Sequence, residues 1–134
     1  MTRINVVPVT ELHNKHLSAE YYELPRVFKL VERFQGKGGT PGTLIGQPSF
    51  YVLGEGHVKF FYTRLLWLSW RHLALVNELS ARGFNPTFTQ NLRVPYAHLA
   101  SHWWDDWEPG PDELQAALAL NRQRIAERLE GMSS

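Results

Sequence analysis

The chain has 134 residues, enough for one domain with a real core and too few for two, and its 43% hydrophobic content is ordinary for a globular protein. No apolar run approaches the ~18 residues of a membrane span, no charged-then-apolar leader opens the chain, cysteine is absent, and the six histidines lack metal-ligand spacing. A membrane protein, a secreted disulfide scaffold and a metal site are therefore disfavoured. Net charge is only +1 but uneven: residues 1–71 hold nine Lys/Arg against five Asp/Glu, and residues 72–134 hold five against eight. A basic N-terminal half suits a phosphate-bearing partner, and chance segregation of surface charge explains it about equally well.

In chain order, residues 1–9 are mostly β-branched and read as an arm or a single extended segment. Thr10 is a good N-cap and Glu11 a favourable first-turn acid, so a helix is predicted from there to about Phe34. Leu17, Tyr21, Leu24, Phe28 and Val31 recur at helical spacing and mark its apolar face. Pro25 lies within that face and predicts a kink at Leu24, because the apolar stripe continues past it. His16 and Glu23 stand one heptad apart on the same side, at the edge of the stripe. Burial there raises the carboxyl pKa of Glu23 and Arg26 lowers it; the sequence leaves the balance open.

Residues 35–49 hold five glycines and two prolines and read as a loop, either a connection or a flap over a ligand. Gly54-Glu55-Gly56 is a turn. A second helix is predicted over His57–Arg82, with Leu65, Leu68, His72, Leu75 and Leu79 on one stripe and further apolar residues on most other sides. Such a helix is central and buried. His72 on that stripe reads as a hydrogen-bonded core histidine rather than a catalytic one. Gly83 stops the helix. Residues 84–110 are irregular and carry His102-Trp103-Trp104-Asp105-Asp106-Trp107. These tryptophans read as packing a loop onto the core, with stacking on a base as the minority alternative. Pro111-Asp112-Glu113 opens a third helix, its inner face Leu114, Ala117, Leu118, Asn121, Ile125 and Leu129, with Gly131 ending it and residues 132–134 frayed. Arg122, Arg124 and Arg128 suit the helix C-terminus and could also touch phosphates. The expected fold is all-α: a single compact domain, residues 1–134, of three main helices with long irregular loops.

The chemistry-bearing residues sit at the start. Thr2 is small, so Met1 can be trimmed to leave a free α-amine. A terminal amine has a pKa of roughly 7.7–8.0 and is partly neutral at physiological pH. Such an amine attacks electrophilic carbon to form an imine. Glu23 could stabilise developing positive charge or move protons, and Arg3, Arg26 and His16 could hold phosphates. Taken alone, these residues favour the plainer reading, a capped, kinked helix with a solvated charged face.

The chain resembles the phage-type pyrimidine-dimer DNA glycosylase/AP lyase family, the endonuclease V of UV repair. The matching residues are MTRIN at 1–5, Glu11-Leu12, His16-Leu17, Ala19-Glu20-Tyr21 and Glu23-Leu24-Pro25-Arg26-Val27-Phe28. Further matches are Leu53-Gly54, Gly56-His57-Val58, Phe60-Phe61-Tyr62, Arg82-Gly83-Phe84-Asn85 and the basic run Arg124–Arg128. The resemblance implies an all-α enzyme in which the α-amine of Thr2 attacks C1′ of a damaged nucleotide. The resulting imine then cuts the strand by β-elimination. It implies Glu23 as the essential carboxylate, Arg3, His16 and Arg26 on the DNA backbone, and Arg124 in a basic final helix. No metal or organic cofactor is implied. The partner is double-stranded DNA containing damaged bases, bent and with a base flipped out, met by a monomer in the cytoplasm at the nucleoid. Two departures touch substrate recognition. Tyr22 stands where the family has a phosphate-binding arginine, and the family archetype's aromatic tail is missing. The expected target is the cyclobutane pyrimidine dimer. The alternatives are the same chemistry on another damaged or modified base or on AP sites alone, and a DNA-binding module without catalysis.

Overall fold

An extended arm, residues 2–8, leads into five α-helices in the computed structural model, which describes residues 2–133. The helices are α1 (Asn14–Glu23), α2 (Pro25–Gly36), α3 (His57–Phe60), α4 (Leu65–Ala81) and α5 (Pro111–Ser133). No strand forms among the described residues, and none of their helices is long and apolar enough to cross a membrane. The fold is all-α and compact, a single domain.

The predicted stripe of the first helical segment is its buried face: Leu17, Tyr21, Leu24, Phe28 and Val31 all lie in the core. The α1 part of that face packs chiefly on α4, whose own stripe, Leu65, Leu68, His72, Leu75 and Leu79, is buried as predicted. α4 is not buried all round, since Trp70 is exposed. On α5 the inner face is narrower than expected. Ala117 and Asn121 are buried, Leu118 and Ile125 half-buried, and Leu114 and Leu129 exposed.

Several boundaries differ from the sequence reading, each for a visible reason. The first helix starts at Asn14, not Thr10. Val9–Glu11 forms a 3-10 turn, Leu12 is extended, and His13 caps α1 by accepting the Lys15 N–H at 3.2 Å. Arg82, at the far end of α4, takes the carbonyls a continuous helix would have used. It donates to Leu12 O at 2.7 Å, Val9 O at 3.3 Å and Thr10 O at 3.4 Å. At Pro25 the segment divides into α1 and α2, joined by the single residue Leu24. Leu24 keeps α dihedrals despite the following proline, and its N–H bonds to Glu20 O at 2.8 Å.

The predicted second helix is two. Between α3 and α4 the chain makes tight turns, and Arg64 leaves helical geometry (φ −125°, ψ 39°). Its guanidinium lies over the Phe60 ring at 4.0 Å, and its backbone forms an isolated bridge with Trp104. The break thus gives the tryptophan segment a backbone partner. Gly83, at φ +89°, stops α4 as expected. Gly131 does not stop α5, which runs through it to Ser133; the expected fraying at Ser134 lies outside the described residues.

Of residues 35–49, Gln35 and Gly36 complete α2, and the rest is irregular apart from a short 3-10 turn, Pro41–Thr43. In the 84–110 segment Trp103 is fully buried and Trp107 nearly so, with Trp104 half-buried against Phe28. The tryptophans therefore pack the loop onto the core. His72 is a core residue, stacked on Tyr21, but it is not hydrogen-bonded as expected: neither ring nitrogen has a partner of normal geometry among the described residues. Burial pushes its pKa down, with the Phe88 backbone close enough to oppose that shift.

Candidate active site

The arm has no neighbouring strand, so side chains satisfy its backbone. On one side Glu23 Oε1 accepts the Arg3 N–H at 2.8 Å, and the Val7 carbonyl accepts from Arg71. On the other, the Ile4 N–H donates to His57 Nε2 at 2.9 Å, and Tyr51 donates to the Ile4 carbonyl at 2.8 Å. Asn121 Oδ1 accepts both the Val6 and Val7 N–H groups, at 2.7 and 3.1 Å. The anchors thus come from α1, α3, α4, α5 and the loop before α3.

A directional chain of hydrogen bonds lies beneath the arm. Asn121 Nδ2 donates to Asn5 Oδ1 at 2.8 Å, and Asn5 Nδ2 donates to Glu20 Oε1 at 2.8 Å. Glu20 and Arg71 close it with two bonds, 2.8 and 3.0 Å, both side chains buried. A carboxylate only accepts, so its position orients both amides. A lone buried charge is costly, but here each partner of the pair has several hydrogen bonds.

Glu23 is half-buried at the end of α1. Burial pushes its carboxyl above the usual range, helped by the negative charge of Glu20 and opposed by Arg26. The balance that the sequence left open therefore falls on the side of burial.

Two adjoining clefts open beside the arm. One, of about 160 Å³, is lined by Thr2, Arg3, Tyr51, His57 and Val58 among others. The other, about 50 Å³, is lined by His16, Glu20, Glu23 and Arg128 among others, and the two share Arg3, Asn5 and Arg124. The fold thus brings Thr2, Arg3, His16, Glu23 and Arg124 to one place from three separate parts of the chain. His16 is half-buried with its Nδ1 unpartnered among the described residues, and burial, then His13 and Lys15, lower its pKa. Arg26 is exposed beyond these clefts, near enough for its charge to act on Glu23. Arg26, Arg124 and Arg128 form no ion pair among the described residues, which suits them to phosphates. Tyr22 lies elsewhere. Its ring is 69% exposed, and it borders a separate depression with Ser18, Leu79 and Phe84–Pro86.

Sequence reasoning missed the groups that hold the arm: Asn5, Glu20, His57, Arg71 and Asn121. Asn121 and Arg71 carried a signal, a polar residue on an apolar helix face, which marks a buried hydrogen-bonding role. Among the described residues no three His, Asp or Glu side chains group to hold a metal.

The sequence model described as Pyrimidine dimer DNA glycosylase matches residues 1–91, which span the arm, the Glu23 carboxylate, His57 and all of α1 to α4. A match over that much of the chain identifies it: the protein belongs to the pyrimidine dimer DNA glycosylase family.

Proposed function

We propose that the protein is a bifunctional DNA glycosylase and AP lyase whose nucleophile is the α-amine of Thr2, exposed when Met1 is removed. The observation that carries this reading is the 2.8 Å hydrogen bond from the Arg3 N–H to Glu23. It anchors the residue next to the nucleophile directly on the carboxylate. The neutral amine attacks C1′ of the damaged nucleotide, the glycosidic C–N bond breaks, and the base leaves with the electron pair and takes up a proton. Loss of a proton from the nitrogen, then cleavage of the C1′–O4′ bond as O4′ takes up a proton, gives a protonated imine linking Thr2 to C1′. Removal of a C2′ proton then expels the 3′ phosphate and cuts the strand, and water releases the enzyme. Glu23, with its raised pKa, can carry protons in these steps and offset the cationic imine.

Arg3, His16, Arg26 and Arg124 hold the DNA backbone around this centre in the proposal, with no cofactor. Arg3 also helps keep the amine neutral. The enzyme acts as a monomer on cytoplasmic, nucleoid DNA, and the preferred target is the cyclobutane pyrimidine dimer. Borohydride reduction in the presence of an AP-site duplex tests the chemistry. A covalent adduct is expected with protein verified by mass spectrometry to begin at Thr2, and none when the terminus is acetylated. Salt-sensitive DNA binding with no adduct would leave only a binding module.

One observation favours a second reading of the substrate. Tyr22 presents an exposed ring where the family resemblance places an arginine. One phosphate contact is lost and a stacking surface gained, so the same chemistry could serve another damaged base or AP sites alone. Cleavage of UV-irradiated against AP-containing duplexes separates these targets.

A further inference from the structure

Ile4 has both backbone groups held by side chains, its N–H by His57 and its carbonyl by Tyr51. His57 is fixed from the other side as well, its Nδ1 lying 2.7 Å from the Val52 carbonyl. A carbonyl can only accept, so Nδ1 carries the hydrogen. An amide N–H can only donate, so Nε2 carries a lone pair. The two contacts together require the neutral Nδ1–H imidazole and no other form. Gly56, at φ +88°, makes the turn that presents the ring; a Cβ there would also press on Pro48 at 3.3 Å.

We propose that His57 is a positioning residue for the reaction. As the neutral Nδ1–H imidazole it registers Ile4, and through Ile4 the nitrogen of Thr2 beside Glu23. The inference rests on the amine chemistry proposed above. Without the His57 bond the Ile4 N–H loses its fixed point, and the arm can rotate about the Tyr51 bond to the Ile4 carbonyl, shifting Arg3 and Thr2 relative to Glu23. Displacement of a reacting group by about 1 Å can cost on the order of 100-fold in rate. The charged and titratable groups around the ring are Glu20 from α1, Arg71 from α4, Tyr51 from the preceding loop, and Arg3 and Arg124 across the shared cleft. Burial lowers the His57 pKa against the opposing pull of Val52 and Glu20, which keeps the ring neutral near pH 7.

Two substitutions divide the ring's functions. His57→Gln places an acceptor near the Nε2 position, and His57→Asn places a donor near the Nδ1 position. Single-turnover cleavage of an AP duplex should fall roughly 10- to 100-fold in H57N with DNA affinity unchanged, and stay within about threefold of wild type in H57Q. Equal rates in the two folded variants would overturn the role of His57 while leaving the amine chemistry intact. Absence of a borohydride adduct in the wild type would instead overturn the amine chemistry. If H57N fails to fold, nitrogen-15 NMR of the wild-type ring decides. An Nδ1–H tautomer coupled to a protected Ile4 amide is expected at pH 7, and an Nε2–H or doubly protonated ring would refute the proposal.

Discussion

Two segments of this molecule with little regular secondary structure are held in opposite ways. The arm, residues 2–8, is fixed by directional bonds from Glu23, His57, Tyr51, Arg71 and Asn121 to its own backbone. The segment 84–110 is fixed mainly by aromatic area. Trp103 meets Phe34 edge-on, Trp107 meets Phe60 and Trp67, and Tyr96 and Trp104 flank Phe28. Hydrogen bonds define position to fractions of an ångström but add modest net stability. Aromatic burial adds more stability and tolerates small shifts. The placement of each device follows its purpose: geometry is specified where a reacting atom must sit, and adhesion suffices elsewhere.

The sharpest way to break the comparison is to keep the arm's bonds and remove the chemistry. Glu23→Gln retains an oxygen that accepts the Arg3 N–H, yet cannot carry protons. AP-strand cleavage, measured on gels with protein shown to be folded, should drop roughly 10²- to 10⁴-fold. Unchanged activity would mean that Glu23 only holds the arm. Next, Arg71→Ala leaves Glu20 buried without its cation and should cost about 3–5 kcal/mol in denaturant unfolding. A loss under about 1 kcal/mol would show that the network is not a structural unit.

The tryptophan segment should respond differently. Trp103→Phe loses packing and the indole bond to Gln35, seen at 2.9 Å, for about 1–3 kcal/mol. Its cleavage rate once folded should stay within about twofold of wild type, since no reacting group moves. A large rate loss would mean that the loop, too, sets catalytic geometry.

Acid gives the smallest and most selective test. Burial lowers the pKa of His16, His57 and His72, so the unfolded chain binds their protons first. Their contribution to stability is complete above about pH 6.5 and falls as pH drops toward the folded pKa values. Glu23 works in the opposite sense. Its raised pKa means the folded state gains relative stability as pH falls through that value to the ordinary carboxyl pKa of the unfolded chain. Hydrogen-exchange protection factors at Ile4 should decline between about pH 6.5 and 5 before those at Trp103, because the Ile4 N–H bonds directly to a neutral imidazole and the Trp103 N–H bonds to a carbonyl. Simultaneous loss at both sites would remove the distinction.

The sequence made one of these regions far more readable than the other. Apolar spacing placed the buried faces around Leu17–Val31 and Leu65–Leu79, and the residue pairing of Glu23 with the chain's start was visible from the family resemblance. The tryptophans declared their packing role by size alone. The anchors of the arm were hidden because their partners are remote in sequence: His57 reaches Ile4 across 53 residues and Asn121 reaches Val6 across 115. The break at Phe61–Arg64 was equally hidden, since its bridge to Trp104 depends on a loop about forty residues later. Thr10 misled because a good cap was present, but Arg82, remote in sequence, claimed the carbonyls around it.

The bond between Asn121 and the arm has a consequence for the order of events during synthesis. A nascent chain emerges from its N-terminus at roughly 5–20 residues per second, so Val6 precedes Asn121 by several seconds or more. Throughout that interval the arm lacks its anchor on α5. An aminopeptidase acting on the emerging chain therefore meets a terminus still short of its final restraints, and the residue proposed as nucleophile can be uncovered before it is locked in register.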